Sequence, residues 1–257
     1  MDFVDLSDAF PLKFDVERMA AELETLQNAE WLSHYDPGLS ADWTAIPLVS
    51  VGGLAVGPES QRVGDYSEMK RTAVVDELPY FTEILDTFKC PQGRIRITRL
   101  NSDTFIGLHR DIDDEVANFA FNQVRLHIPI VTNDDVYFWI DGTILHMDIG
   151  RLYYVNFSKK HYVHNGGETP RYHLVLDLYV NDWLRQYFPE PTFKQVLSIK
   201  WQRIYLPVVW KITGIYMGIL GVFWENYEGS ALQRLRHRFF PKKQRADKRE
   251  IGRPGSL

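Results

Sequence analysis

Between residues 94 and 180 apolar and polar positions alternate in short runs: RIRITRL, FIGLHRD, QVRLHIPIV, VYFWIDG, TILHMDI, RLYYVNF, HYVHN and RYHLVLDLYV. Most are bounded by Asn, Asp, Gly or Pro, and no helical period separates them. This predicts a mainly β, antiparallel sandwich or barrel rather than βαβ units, and a double-stranded β-helix (jelly-roll) barrel is the simplest closure. Residues i and i+2 of a strand share a face. In QVRLHIPIV, Val124, Leu126, Ile128 and Ile130 therefore lie on one face and Arg125 and His127 on the other. In RYHLVLDLYV, Tyr172, Leu174, Leu176 and Leu178 oppose Arg171, His173 and Asp177. His109 and Asp111 form a third pair at the end of FIGLHRD, and His161 opens HYVHN. A small barrel buries one face of every strand, so these polar positions are expected to converge.

The flanks read differently. Val16 to Ala29 carries Met19, Leu23 and Leu26 at helical spacing behind Asp15 as N-cap. WTAIPLVSV (Trp43 to Val51) is strand-like, and a Gly-rich stretch then runs to about Met69, expected as a lid or as a plain surface loop. A short helix is predicted over Tyr80 to Lys89. The organisation expected is a barrel domain over 1–190, with its β core at about 94–180, followed by a helical, first apolar and then basic extension over 191–257.

At 257 residues and 45% hydrophobic content the chain can bury a sizeable core, which excludes wholesale disorder. The lone Cys90 forms no intramolecular disulfide, and MDFVDLSDAF lacks the pattern of a secretory signal. A reducing, cytoplasmic setting is the expectation.

Buried charge is costly unless it is paired or metal-bound, so His, Asp and Arg inside a β region point to a cation and an anion held together. Two imidazoles and one carboxylate form the triad that suits non-haem Fe(II). His109, Asp111 and His161 are the candidates. A lone H-x-D occurs freely by chance and is more often a hydrogen-bonded pair at a strand end; a distant His161 followed ten positions later by Arg171 strengthens it. An arginine fork is the natural partner of the carboxylate that an oxo acid presents. Asp113, Asp114 and Glu115 could meet a cationic substrate, although a solvated run is the usual fate of such residues. His164 lies three positions from His161 and so faces the other way; His146 and His173 read as structural.

The segments LHRDID, VRLHIPIVTN, HYVHNGG and PRYHLVLDLYVNDWLR resemble the aspartyl/asparaginyl β-hydroxylase family of 2-oxoglutarate-dependent oxygenases, including its bacterial proline-hydroxylase-like members. The likeness runs from roughly Ile95 to Arg185. It implies Fe(II) held by His109, Asp111 and His161, with 2-oxoglutarate and O2 as cosubstrates. It further implies Arg171 on the distal carboxylate of 2-oxoglutarate, His127 near its other carboxylate, and Arg125 toward an anionic group of the substrate. Val163 and Asn165 complete the family's H-x-V-x-N pattern. Some animal members lack the carboxylate ligand; this sequence retains it. The implied activity is hydroxylation of an unactivated C–H in an amino acid, a peptidyl residue or an amino-acid-derived intermediate. Hydroxylation of a lipid acyl chain and a non-catalytic metal-binding jelly-roll sensor are the alternatives.

Beyond that region, Tyr205 to Trp224 is 20 residues long and apolar all round, with a G-x-x-x-G pair at Gly214 and Gly218. Trp201, Tyr205, Trp224 and Tyr227 lie near its ends, where interfacial aromatics collect. The net charge of −5 conceals a tail, Gln233 to Arg253, with nine Lys or Arg against Asp247 and Glu250. Basic residues on both flanks fit an in-plane or re-entrant membrane attachment, or a helix packed on the barrel, better than a true span. A membrane surface reached through 205–224 and the basic tail is thus a candidate partner, and nucleic acid is not favoured.

Overall fold

The computed structural model describes residues 3–33, 42–62, 64–111 and 122–205, with 208, 211 and 212. The chain divides into two units, 1–199 and 200–257.

In the first unit the strands are β1 (Phe3–Asp5), β2 (Leu32–Ser33), β3 (Trp43–Val51), β4 (Met69–Arg71), β5 (Gln92–Leu100), β6 (Thr104–His109) and β7 (Gln123–Val131). They continue as β8 (Val136–Ile140), β9 (Thr143–Leu145), β10 (Tyr153–Val155), β11 (His161–Asn165) and β12 (Arg171–Tyr179). The helices are α1 (Val16–Thr25), α2 (Pro79–Thr87) and α3 (Asp182–Arg185). One sheet runs β1-β10-β7-β12-β5-β3-β2 with β4 beside β3, and the other runs β6-β11-β8-β9. All described pairings are antiparallel. Two such sheets packed face to face make the expected jelly roll.

The larger sheet is covered on both sides. Leu126, Ile128, Leu174 and Leu176 pack with Met19 and Leu23 of α1 and Phe81 and Ile84 of α2 in one apolar cluster. On the other side Leu100, Tyr153 and Val155 meet Ile106, Phe138 and Val163 of the smaller sheet. Eight of the nine residues of β7 are consequently buried, whereas β8 and β11 alternate buried and half-buried as a one-sided strand must. The polar members of β7 and β12 point into the space between the sheets.

Local sequence explains the helical ends. The Asp15 carboxylate accepts from the Arg18 N–H at 3.0 Å, capping α1 as expected, and α1 runs on as a 3₁₀ turn over Leu26–Asn28. Pro79 opens α2, and the Glu22 carboxylate accepts from the N–H groups of Tyr80 and Phe81 at 2.6 and 3.1 Å. One side chain thus satisfies two orphan donors and docks the helices together. The Gly-rich stretch carries order of its own: 3₁₀ turns at Pro58–Gln61 and Tyr66–Glu68, then β4. Ser60 is buried, and the Gln61 carbonyl accepts from Arg94 at 2.7 Å, so this segment packs on the sheet.

Residues 193–199 are helical at the end of the first unit, and residues 200–205 are helical at the start of the second. Among the described residues no helix is long and apolar enough to cross a membrane. Residues 213–257 lie outside the described set, and with them most of the 205–224 segment and the whole basic tail.

Candidate active site

β6 ends at His109, β11 begins at His161, and the two are register partners. Between Ile106, paired with Val163, and His109, paired with His161, β6 has one residue more than β11. This bulge breaks the alternation. Ile106 and His109, three apart, both line the inter-sheet pocket, and Leu108 between them is 55% exposed.

Asp111 follows, its N–H donating to the Phe157 carbonyl at 3.0 Å. Its Oδ1 lies 3.4 Å from His109 Nε2 and 3.8 Å from His161 Nε2. One donor atom from each of the three residues falls within 4.8 Å of the others. Both rings are oriented from behind: His109 Nδ1–H donates to the Gly107 carbonyl at 2.7 Å and His161 Nδ1–H to the Lys159 carbonyl at 2.9 Å. A carbonyl only accepts, so the proton of each neutral ring sits on Nδ1 and the Nε2 lone pair faces Asp111.

The electrostatics agree with a cation site. Burial opposes ionisation of Asp111, but the hydrogen bond that a protonated His109 gives it and the charge of Arg125 hold the carboxyl well below the usual range. Burial disfavours the His109 imidazolium, yet its contacts with Asp111 and the Gly107 carbonyl prevail and raise its pKa. Burial dominates at His161, whose pKa falls to about 4.

The pocket holds about 440 Å³, including its open mouth. Across it from the triad, Arg171 is 2% exposed, with its guanidinium carbon 5.3 Å from the Phe138 ring centroid. Its Nε and Nη1 have no hydrogen-bond partner among the described residues. Burial lowers its pKa to about 9, which leaves it cationic at neutral pH. His127 shares the pocket and meets His173, Nδ1 to Nδ1, at 3.2 Å. Arg125 gives Nε and Nη2 to Asp177 and Nη1 to Asp111, so a substrate anion would share this guanidinium with two carboxylates.

The six expected site residues therefore lie around one pocket. The other histidines sort by face: His164 is half-buried on the outer side against Tyr137, and His146 Nδ1 lies 3.1 Å from the Val136 carbonyl. Asn165 is a staple, its amide donating to the carbonyls of Leu100, Asn101 and Thr169. Residues 112–121, with the rest of the acidic run, lie outside the described set.

Sequence reasoning passed over Arg94, Arg96 and Thr98 of β5 and the role of Asp177. The signal was present, because RIRIT alternates as plainly as QVRLH does. Arg96 and Thr98 line the pocket, and Arg94 reaches Asp177 at 3.3 Å. A cavity of about 390 Å³ shares Trp43 and Arg96 with the pocket.

Fold and site together define a jelly roll with two imidazoles and one carboxylate at the mouth of an arginine-lined pocket. The profile of the Aspartyl/Asparaginyl beta-hydroxylase family matches residues 13–180, and the chain belongs to that family. It is 30% identical over 168 residues to an L-proline cis-4-hydroxylase of Rhizobium meliloti (strain 1021), covering 65% of this chain and 58% of the relative. An L-proline cis-3-hydroxylase 1 of a Streptomyces species is 25% identical over 174 residues, with the same two coverages. The chain thus spans under two thirds of the length of these relatives. Among solved structures, a Pseudomonas putida prolyl-4-hydroxylase aligns at a TM-score of 0.41 and 11% identity, over 66% of this chain and 89% of the other.

Proposed function

We propose that this chain is an Fe(II)- and 2-oxoglutarate-dependent dioxygenase that hydroxylates an unactivated C–H of a small amino acid or amino-acid-derived compound. The observation that carries this reading is the convergence of the His109, Asp111 and His161 donors beside the buried, underpartnered guanidinium of Arg171. The donor set fits ferrous iron: three ligands on one side leave the remaining positions open.

His109 and His161 would present Nε2, and Asp111 one oxygen. Iron bound there supplies O2 activation coupled to oxidative decarboxylation of 2-oxoglutarate. Arg171 would hold the distal carboxylate of that cosubstrate through Nε and Nη1, which have no hydrogen-bond partner among the described residues, beside the Phe138 ring. His127, which lines the same pocket, would stand near the other carboxylate. Phe138, Phe157, Ile106 and Val163 line the pocket and exclude water from the reacting carbon.

The named activities of the relatives make L-proline and other cyclic amino acids the first probes. Purified protein with Fe(II), 2-oxoglutarate and O2 should release succinate and add one oxygen to the accepted substrate, as read by mass spectrometry. Failure of succinate release across such a panel, with the metal bound, would favour the sensor reading.

We infer a membrane surface as a second partner from a separate observation. Trp201, Ile204, Tyr205, Val208 and Ile212 are all exposed, at spacings that place them on one helical face, with Lys200, Arg203 and Lys211 beside them. Co-flotation with anionic but not zwitterionic vesicles is the expected result; no flotation with either removes the surface.

A further inference from the structure

Asp177 is fully buried in β12, opposite Arg125 of β7 in the ladder. Its two oxygens accept from Arg125 Nε at 2.6 Å and Nη2 at 3.1 Å, a two-pronged grip on one edge of the guanidinium. The remaining nitrogen, Nη1, donates to Asp111 Oδ2 at 2.5 Å. Asp111 Oδ1 is left facing both imidazoles. One arginine therefore decides which oxygen of Asp111 is available to a metal, and a carboxylate one strand away decides how that arginine is turned. Arg94, 3.3 Å from Asp177 Oδ2, holds the carboxylate from its other side.

We propose that Asp177 is a positioning residue for the metal site, acting through Arg125 to lock Asp111 into one-oxygen coordination. This rests on the reading of His109, Asp111 and His161 as a metal site. Without the Asp177 charge, the buried Arg125 fork loses its two-pronged partner and is freer to turn toward Asp111, where it competes with the metal for both oxygens. Groups that orient metal ligands typically set affinity by about 10–100-fold, which is the effect assigned to Asp177.

The test is Co(II) titration of the full-length chain under reducing conditions, followed by calorimetry and by the visible absorption of the bound ion. Asp177→Asn should weaken Co(II) binding by about 10–100-fold and change the shape of the absorption band. Arg125→Lys, which keeps charge but loses the fork, should match it. In the Arg125→Lys background, Asp177→Asn should add little, since both act through one contact. Ile84→Ala, a cavity under α2 remote from these groups, should lower thermal stability without moving Co(II) affinity, which separates positioning from general destabilisation.

Unchanged affinity and spectrum in Asp177→Asn would overturn the proposal. If that variant does not fold, unchanged affinity in Arg125→Lys overturns it equally. A parent chain that binds no Co(II) would instead remove the metal-site reading, and this proposal with it.

Discussion

His127 and His173 face each other across the β7–β12 ladder with their Nδ1 atoms 3.2 Å apart, both rings fully enclosed. One Nδ1 must donate and the other accept, so the pair exists only while at least one ring is neutral. Burial, reinforced by the charge of Arg171, pushes both pKa values well below the ordinary imidazole value.

A pH dependence of stability follows. Each of these groups, and His161 with its pKa of about 4, takes up a proton more readily unfolded than folded. At these three groups the unfolded chain binds more protons below about pH 6.5, the ordinary imidazole pKa; the raised pKa of His109 opposes them at one site, and stability is lost as pH falls through that value. Urea unfolding of metal-free protein should show midpoints that are level above pH 7 and fall from pH 6.5 toward 5. His173→Asn should flatten that fall. A midpoint independent of pH across this window would refute the neutral-pair assignment.

Removing Arg171 should separate cosubstrate binding from metal binding. Arg171→Ala is expected to weaken 2-oxoglutarate binding by about 2–5 kcal/mol, the cost of truncating one partner of a buried charge pair, while leaving metal affinity near that of the parent. Calorimetric titration of 2-oxoglutarate into metal-loaded protein reads the first quantity. Identical curves for variant and parent would take Arg171 out of the site.

The two faces of β11 make opposite predictions for histidines three residues apart. His161→Ala should abolish stoichiometric metal binding. His164→Ala, on the outer face against Tyr137 and Phe105, should retain it. Metal content after dialysis distinguishes them, and the reverse result would exchange their roles.

The bulge in β6 predicts a contrast between neighbours. Leu108→Lys changes an exposed side chain and should shift stability by no more than about 0.5 kcal/mol. Ile106→Lys places a charge among Phe138, Val163 and Phe157 and should cost several times as much, or prevent folding. Chemical denaturation midpoints decide between this arrangement and strict alternation, under which Leu108 and Ile106 would be equally sensitive.

Much of the barrel was legible along the chain. The expected runs at 43–51 and 123–131 coincide with β3 and β7, and Asp15 caps α1 as its side chain predicts. Strand parity is local, set by the pleat and by burial of the apolar face, so Arg125 with His127 and Arg171 with His173 could be assigned to one side from sequence. The same logic applies to Arg94, Arg96 and Thr98, where the alternation of RIRIT carries the signal.

The sequence by itself determined which side chains share a strand face, because that depends only on neighbours two positions away. Tertiary structure alone decided which strands meet and in what register. The bulge that turns His109 inward is defined against β11, 52 residues later, and is invisible in FIGLH, where alternation sets His109 opposite Ile106. The chain of contacts from Asp177 through Arg125 to Asp111 joins three strand regions through guanidinium geometry. Ladder hydrogen bonds and inter-sheet packing fix such long-range registers, and those interactions exist only once the sheets have closed on each other.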